Sequence, residues 1–279
     1  MSVTTAGLTR HYGPVRALDG VDVTLADGVV HGLLGASGAG KTTLLRILAG
    51  QEFPSAGTVT GTGGGVCLVR EDQTYPDTYR VAHALRAAAL LQPHWSAEVA
   101  RELVTAFGLP LDRRVAKLSR GMRSMLGATV GIASRAPLTL LDEPYLGLDA
   151  GSRATLSRAL LADYAEHPRT IVLSSHLIDE VADLLEHVVV LDRGRVVLDD
   201  DVDALRGRAV TVSGPVAAVE GFVAGAGELH REQLGPTLRV TAVGTPDAVP
   251  AGLEVTPVSL QQLIVHTASA PDAHREETR

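Results

Sequence analysis

The sequence predicts an α/β fold in which a core of buried strands and helices is joined by an N-terminal antiparallel β part, a helical insert and a small C-terminal α+β appendage. Three observations predict it. A glycine-rich loop at residues 35–40 separates an apolar run from a helical stretch, in the order strand, loop, helix. The short apolar runs at 137–141 and 170–173 are typical of buried parallel strands. After Arg208 the β-like runs become short and are separated by many Gly and Pro turns, which indicates a second, smaller unit.

The first 30 residues indicate β structure. Two short alternating apolar stretches, at 15–18 and 21–25, are separated by Asp19-Gly20, a pair of residues that favours a turn. Tyr12 lies upstream of the glycine loop, where an aromatic ring could stack on a base. Simple packing of that ring beside a glycine is the alternative.

The loop at residues 35–43 has the sequence GASGAGKTT and matches the pattern G-x-x-x-x-G-K-[ST] without a mismatch. Its glycines allow backbone torsions that other residues avoid, so several amide N–H groups can converge on phosphate oxygens. Lys41 adds a full charge for the outer phosphates, and the Thr42 hydroxyl is placed to bind Mg²⁺. A flexible Gly/Ala loop is the alternative, but Lys41 and Lys117 are the only lysines of the chain. The phosphate-binding candidates are therefore Gly35, Ser37, Gly38, Gly40, Lys41, Thr42 and Thr43.

A compact helical insert is predicted at about residues 81–120, because apolar residues recur there at helical spacing. The predicted elements are a strand at 66–69, a polar loop at 70–77, helices at 81–91 and 97–107 and a further helix at about 121–134.

Two acids, Asp142 and Glu143, follow the buried strand at 137–141. Ligands of α/β folds bind at the carboxyl ends of the strands, so beside a phosphate loop this pair predicts a metal-and-water site rather than two merely exposed acids. The strand at 170–175 delivers His176 to the same edge. A helix at 178–186 and strands at 188–191 and 196–198 are expected to follow.

Composition excludes several classes of function. The net charge of -7 and the pI of about 5.8 argue against a protein held on nucleic acid by counterion release, so no nucleic-acid partner is expected. The single cysteine, Cys67, excludes an intrachain disulfide and favours a reducing compartment. The N-terminus lacks the features of a signal peptide, and no window of about 18 residues is free of charge. We expect a cytoplasmic protein that associates with a membrane only through a partner.

Three segments are expected along the chain. Residues 1–207 form the main domain with its insert, residues 208–268 form the small α+β domain, and the charged tail at 269–279 is expected to be disordered.

Several motifs, in their order and spacing, resemble the ATP-binding subunit of an ABC transporter, and the resemblance covers about residues 3–207. They are the glycine loop, Leu118-Ser119-Arg120-Gly121-Met122, Leu140-Leu141-Asp142-Glu143-Pro144, Leu148-Asp149 and His176. The resemblance implies a P-loop (RecA-like) nucleotide-binding core that hydrolyses ATP with Mg²⁺.

Residues 118–122 resemble the signature motif of this family, with Arg120 and Met122 where many members have Gly and Gln. Ser119 offers a hydroxyl, Gly121 permits close backbone approach, and the following helix presents its N-terminus to an anion. In the family that anion is the γ-phosphate of ATP held by the other subunit of a head-to-tail dimer. The resemblance therefore implies two half-sites in each chain and a second ATP-binding subunit, in a homodimer or a heterodimer.

The resemblance also assigns roles by position. It makes Lys41, Glu143 and His176 the catalytic candidates, Glu143 as the general base that polarises water and His176 as a contact of γ-phosphate and water. It further implies that Tyr12 stacks on the base, that Asp142 is linked to Mg²⁺ and that Asp149 links the two halves of the dimer.

One coupling residue departs from the family pattern. The family usually has a glutamine that links Mg²⁺ to the insert. Counting back from Val81 gives Glu71, with Gln73 two residues later, and either could contact metal or water.

The form of residues 118–122, the short insert and the C-terminal residues 255–263 resemble bacterial exporter-type subunits, whose membrane part is encoded by a separate gene. The implied partner is an integral-membrane permease, with this chain peripheral on the inner face of the membrane. A non-transport ABC ATPase acting on ribosomes or DNA is the alternative, and the chain lacks the tandem cassettes or long coiled coil of such proteins. A regulatory protein that binds ATP without hydrolysis is disfavoured by the presence of Glu143 and His176.

Overall fold

The computed structural model describes residues 2–244, 250 and 252–269. The chain divides into two compact units, Met1–Asp199 and Asp200–Arg279. The division falls inside strand β9 (Arg195–Asp201), whereas the sequence predicts a boundary after residue 207. Residues 270–279, which make up nearly all of the tail predicted to be disordered, lie outside the described residues.

The first unit begins with a three-stranded antiparallel sheet in the order β2-β1-β4, which confirms the predicted N-terminal antiparallel β part, although β4 was not predicted. Its strands are β1 (Val3–Tyr12), β2 (Val15–Leu25) and β4 (Ala56–Thr60). The predicted turn at Asp19-Gly20 is wrong, because both residues lie inside the continuous strand β2, where the pairing with β1 shifts register. Gly20 has a φ of 66°, which accommodates the irregularity, and the N–H of Asp19 donates to the carbonyl of Gly194 at 2.8 Å.

A six-stranded sheet forms the centre of this unit, in the order β5-β6-β7-β3-β8-β9. The remaining strands are β3 (Val30–Leu34), β5 (Val66–Val69), β6 (Leu138–Asp142), β7 (Thr170–Ser175) and β8 (His187–Asp192). The pairs from β5 to β8 are parallel, and every residue of β3, β6 and β7 is buried, which explains their continuous apolar runs. Because β3, β6 and β7 are parallel neighbours, the loops that follow them meet at one edge.

Helix α1 (Lys41–Leu48) follows β3 and joins the two sheets through one apolar core. Leu44 and Leu45 pack in the same cluster as Leu8 and Leu18 of the antiparallel sheet and Leu140 of the central sheet. The loop before α1 is therefore anchored by both sheets.

The helices predicted for the insert are present as α2 (Val81–Leu91) and α3 (Ala97–Ala106). The separately predicted helix that follows is α4 (Arg120–Ser134), and the three helices share one apolar cluster. The sequence analysis missed α5 (Ala150–Glu166), whose only fully buried apolar side chains are Leu156 and Leu160, too few to mark a stripe.

The predicted helix at 178–186 is wrong. A single 3₁₀ turn, Ile178–Glu180, is followed by turns. Glu186 explains why no helix continues, because its N–H donates to the carbonyl of Val30 at 3.0 Å and its carboxylate accepts from the N–H of Val30 at 2.8 Å. The end of this segment is thus fixed to β3.

The second unit has the α+β composition that the sequence predicts. Its elements are α6 (Val202–Arg206), β10 (Ala209–Pro215), α7 (Val216–Val223), β11 (Glu228–Leu234), β12 (Thr237–Val243), β13 (Glu254–Pro257) and α8 (Leu260–Ser269). The four strands form one antiparallel sheet in the order β11-β12-β10-β13. Val219 of α7 packs against Val212 and Val240 of that sheet.

Candidate nucleotide site

The glycine loop takes a backbone path that only glycine follows easily. Gly40, directly before α1, has a φ of 109°, and a Cβ there would lie 2.5 Å from the carbonyl oxygen of Ala17. Gly35 has a φ of 143°, and a Cβ there would overlap the carbonyl oxygen of Leu191. The two glycines therefore let β2 and the end of β8 pack directly on the loop.

The same neighbours hold the loop by hydrogen bonds. The N–H of Gly194, in the turn between β8 and β9, donates to the carbonyl of Ala39 at 2.9 Å. The N–H of Asp19 donates to the carbonyl of Gly194 in turn, so backbone contacts from two sheets fix the path of the loop.

Lys41 lies almost buried at the start of α1 with its ammonium folded back over the loop. Its Nζ donates to the carbonyl oxygens of Gly35 at 2.7 Å and Ala36 at 3.2 Å. The Oε1 atom of Glu143 lies 3.4 Å from the same nitrogen. The positive charge is thus placed between the loop and the acids at the end of β6.

Asp142 is buried at the carboxyl end of β6 and accepts two hydroxyl hydrogen bonds. Thr42 donates to its Oδ2 at 2.8 Å, and Ser174 donates to its Oδ1 at 2.6 Å. Burial raises the pKa of Asp142, while the bonds from Ser174 and Thr42 oppose the increase. The carboxylate therefore links the helix after the loop to two neighbouring strands.

Ser174 is a site residue that the sequence analysis missed. Besides donating to Asp142, its hydroxyl accepts the N–H of Glu143 at 2.9 Å. The parallel register that places Ser174 opposite Asp142 becomes visible only in the sheet, although a serine at the end of a predicted buried strand was a usable signal.

Glu143 has a φ of 50°, a left-handed backbone that a non-glycine residue adopts at a cost. This turn brings its carboxylate to His176, with Oε2 lying 2.9 Å from Nδ1 of the imidazole. Together with the Lys41 contact, this geometry unites the three predicted catalytic residues in one group.

The donors around Thr42 and Asp142 fit Mg²⁺. A hydroxyl oxygen and a carboxylate oxygen lie in hydrogen-bond contact beside the phosphate loop, and both are the hard ligands that Mg²⁺ takes. Within residues 2–244, 250 and 252–269, no cluster of three or more His, Cys, Asp or Glu side chains could enclose a metal ion. A bound Mg²⁺ would therefore take its other ligands from phosphate oxygens and water, as it usually does.

A cavity of about 440 Å³ opens over the loop and Glu143. Besides the loop from Ser37 to Thr43, its lining includes Ala17, Glu71, Arg120, Glu143, Leu146 and His176. Of the two coupling-loop candidates, Glu71 lines the cavity and forms an ion pair with Arg120, whose Nη2 lies 2.6 Å from Oε1 of Glu71. Gln73 is not among the lining residues, and its N–H closes a turn with the carbonyl of Arg70 at 3.2 Å.

The other predicted phosphate contacts lie outside the cavity of their own chain. Ser119 caps α4, because its hydroxyl accepts the N–H of Met122 at 3.2 Å. Gly121 lies so close to the next loop that a Cβ would be 2.5 Å from the carbonyl oxygen of Gly147.

Asp149 likewise lies outside this cavity. It caps α5 by accepting the N–H of Ser152 at 2.8 Å, and this backbone hydrogen bond lowers the pKa of the carboxyl group.

Tyr12 lies at the end of β1, is partly exposed and is not among the cavity-lining residues. Its hydroxyl donates to Oε1 of Glu52 at 2.5 Å, and the guanidinium of Arg10 stacks over its ring at 4.8 Å. The ring is thus held in place by two side chains.

No helix among the described residues is long and apolar enough to cross a membrane.

Comparison with known proteins agrees with this geometry. A family model described as "ABC transporter" matches residues 18–146. The aliphatic sulfonates import ATP-binding protein SsuB 1 of Nocardia farcinica is 33% identical over 208 residues, which cover 75% of this chain and 85% of that protein. The daunorubicin resistance ATP-binding protein DrrA3 of Streptomyces coeruleorubidus is 33% identical over 228 residues, covering 74% of this chain and 70% of that protein.

Solved structures show the same fold. One, described as the ATP-binding subunit of an ABC transporter, has a TM-score of 0.66 at 24% identity and covers 74% of this chain and 92% of that one. Another is an ATP-binding cassette solved as a dimer in a post-hydrolysis state with ADP and Pi. It has a TM-score of 0.63 at 19% identity, and the match covers 72% of this chain and 98% of that one. The phosphate loop, the strand-end acids and these relatives together establish that the chain belongs to the ATP-hydrolysing, ATP-binding subunits of ABC transporters.

Proposed function

We propose that this chain is the ATP-driven motor of a membrane exporter, that two such subunits bind two ATP molecules head to tail, and that they drive a separate permease. The observation that carries the chemistry is the position of Glu143, whose carboxylate lies between Lys41 and His176 and beside the Asp142–Thr42 pair.

The residues of the chain divide the work of hydrolysis. Lys41 and the loop amides bind and orient the outer phosphates of ATP. Glu143 accepts the proton of an attacking water at its carboxylate, while His176 holds that carboxylate through Nδ1. Thr42 and Asp142 would hold Mg²⁺, which neutralises developing charge on the phosphates when bound.

The proposal of a head-to-tail pair is supported by residues that the cavity does not use. Ser119, Gly121 and Asp149 are exposed or half-buried and lie outside the cavity of their own chain. The hydroxyl of Ser119 accepts a backbone hydrogen bond, so its own hydrogen remains available to donate to a phosphate oxygen of the facing subunit. We infer that Tyr12 completes each site by stacking on the base.

The proposed contact surface for the permease covers residues 71–91. This stretch begins at Glu71 in the cavity and ends at the C-terminus of α2, where Leu90 is 79% exposed and Leu91 is 76% exposed. Two exposed leucines in sequence favour burial against a partner. The permease would hold this chain on the inner face of the membrane.

The names of the relatives point to different directions of transport. The name of DrrA3 refers to drug resistance, which supports export, whereas the name of SsuB 1 refers to import of aliphatic sulfonates. Import is therefore the second candidate function.

Co-expression with the membrane protein encoded next to this gene, followed by affinity purification in detergent, tests the motor role. We expect a polytopic protein to co-purify, and recovery of ribosomes or DNA in its place would overturn the proposal. Inverted vesicles that contain the complex then test direction, because ATP added outside them drives an exporter to accumulate its substrate. A matched Glu143→Gln complex controls for leakage.

A further inference from the structure

The ion pair between Glu71 and Arg120 joins two parts of the chain that are 49 residues apart. Glu71 lies in the polar loop after β5, and Arg120 is the first residue of α4. Both line the cavity over the phosphate loop. A carboxylate at this position would repel the outer phosphates of a bound nucleotide unless a positive charge compensated it.

The other charges nearby have different partners. Lys41 faces Glu143 and the carbonyl oxygens of its own loop. Asp72, the neighbour of Glu71, forms ion pairs with Arg46 at 3.1 Å and Arg70 at 3.4 Å. Arg120 is thus the cation placed to compensate Glu71.

The direction of the Arg120 side chain is set by packing. A Cβ built on Gly147 would lie 3.4 Å from Cγ and 3.5 Å from Cδ of Arg120, so the stem of the arginine lies over the loop that connects β6 with α5. This contact aims the guanidinium at Glu71 and leaves the pair partly exposed, with 60% of the Arg120 side chain and 45% of the Glu71 side chain accessible.

We propose that Arg120 is a positioning residue for ATP that acts through Glu71. By binding the Glu71 carboxylate, it cancels a negative charge that would otherwise face the terminal phosphate. The two departures of this chain from the pattern of its family, Arg120 in the signature motif and Glu71 in the coupling loop, are then one compensated pair. The proposal rests on the nucleotide-binding part of the proposed function and not on transport.

A double-mutant cycle on the full chain tests this. Arg120→Gln, Glu71→Gln and the double variant are titrated with a fluorescent non-hydrolysable ATP analogue and with fluorescent ADP, in the presence of Mg²⁺ and again in EDTA. Arg120→Gln should weaken binding of the ATP analogue about five-fold, because it leaves the partly exposed Glu71 carboxylate uncompensated beside the terminal phosphate. It should change ADP binding less than two-fold, because ADP lacks the phosphate that faces Glu71.

Removing the carboxylate as well should restore the affinity, so the double variant should match Glu71→Gln within a factor of two. Arg120→Lys should behave as the wild type, because it keeps the charge. At 0.5 M salt the effect of Arg120→Gln should disappear, since both side chains are partly exposed.

Two results would overturn the proposal. If Arg120→Gln lowered the affinity for the ATP analogue equally in the wild-type chain and in the Glu71→Gln variant, Arg120 would bind phosphate directly. If it lowered the affinity in neither, the ion pair would have no role in nucleotide binding. Wild-type binding of the ATP analogue is the separate check on the site itself, and its absence would refute the nucleotide site and not only the role of Arg120. Thermal unfolding of each variant confirms that the fold is retained.

Discussion

Replacing Glu143 by Gln is the sharpest perturbation of the proposed chemistry. The amide keeps the size of the side chain and can still accept a hydrogen bond from His176, but it cannot take a proton from water. Lys41 would keep its two carbonyl acceptors, Gly35 and Ala36. The loop and the core should therefore remain folded.

The expected loss of turnover follows from the role of the carboxylate. General-base catalysis contributes about 10²–10⁴ in rate, so kcat should fall at least 10²-fold. This factor corresponds to about 2.7 kcal/mol or more, at about 1.36 kcal/mol for each tenfold change. ATP affinity should stay equal or increase, because the substitution removes a negative charge 3.4 Å from Lys41, the residue proposed to bind the phosphates.

Steady-state ATPase activity and equilibrium ATP binding measure the two quantities, and gel filtration with ATP should reveal a nucleotide-bound dimer. Glu220→Gln is the matched control, because Glu220 pairs with Arg231 at 3.4 Å in the second unit and should not alter kcat. Near-normal hydrolysis by Glu143→Gln would refute the assignment of the general base.

Three further predictions concern the loop, the buried acid and the second unit. Gly40→Ala should lose ATP binding and about 1–3 kcal/mol of stability in urea unfolding, because Gly40 has a φ of 109° and the new Cβ would lie 2.5 Å from the carbonyl oxygen of Ala17. Gly38→Ala is the control, with a φ of 81° and open space around the new Cβ, and its effects should be milder. Equal effects of the two substitutions would contradict the proposed clash. Burial raises the pKa of Asp142 above its ordinary 3.8, so above pH 3.8 the folded chain keeps a proton that the unfolded chain releases. The wild-type chain therefore loses stability as pH rises above 3.8, until the carboxyl group of the folded chain has ionised. The thermal midpoint of Asp142→Asn should therefore increase relative to that of the wild type as pH rises through this range. A difference in midpoint that did not change with pH would contradict this. A chain ending at Gly207 should bind ATP with Mg²⁺ in calorimetry, because it keeps β9 and every proposed nucleotide contact, and a folded truncation without affinity would contradict that.

Much of the fold could be predicted because local signals and tertiary structure agree. Strand β5 and helix α2 have the predicted bounds, since strong periodicity and flanking Pro or Gly residues marked them. The phosphate loop was equally visible, because its chemistry requires fixed residue types at fixed spacing.

The remainder depends on register and long-range contacts, which a single sequence does not encode locally. Ser174 reaches Asp142 only because β6 and β7 pair in parallel with that register. Asp19-Gly20 has the composition of a turn, but a hydrogen bond to Gly194, far along the chain, holds it inside a strand. The contact of Arg120 with Glu71 similarly requires the folded insert.

In the proposed dimer each ATP site is divided between two subunits, and this division would let ATP binding perform work. If one chain enclosed ATP completely, binding would stabilise that chain and leave the arrangement of subunits unchanged. Here the phosphate loop, Thr42 and Glu143 line the cavity, while Ser119 and Asp149 lie outside it. Shifting a closed dimer from about 1% to about 99% requires about 5.5 kcal/mol of differential binding, or about 2.7 kcal/mol for each of two ATP molecules. One or two hydrogen bonds from Ser119 and the α4 N-terminus to a charged phosphate, at about 1.5–3 kcal/mol each, supply that amount. In the proposed mechanism, hydrolysis through Glu143 would remove the phosphate that these bonds hold, so the same contacts that close the dimer would also let it open.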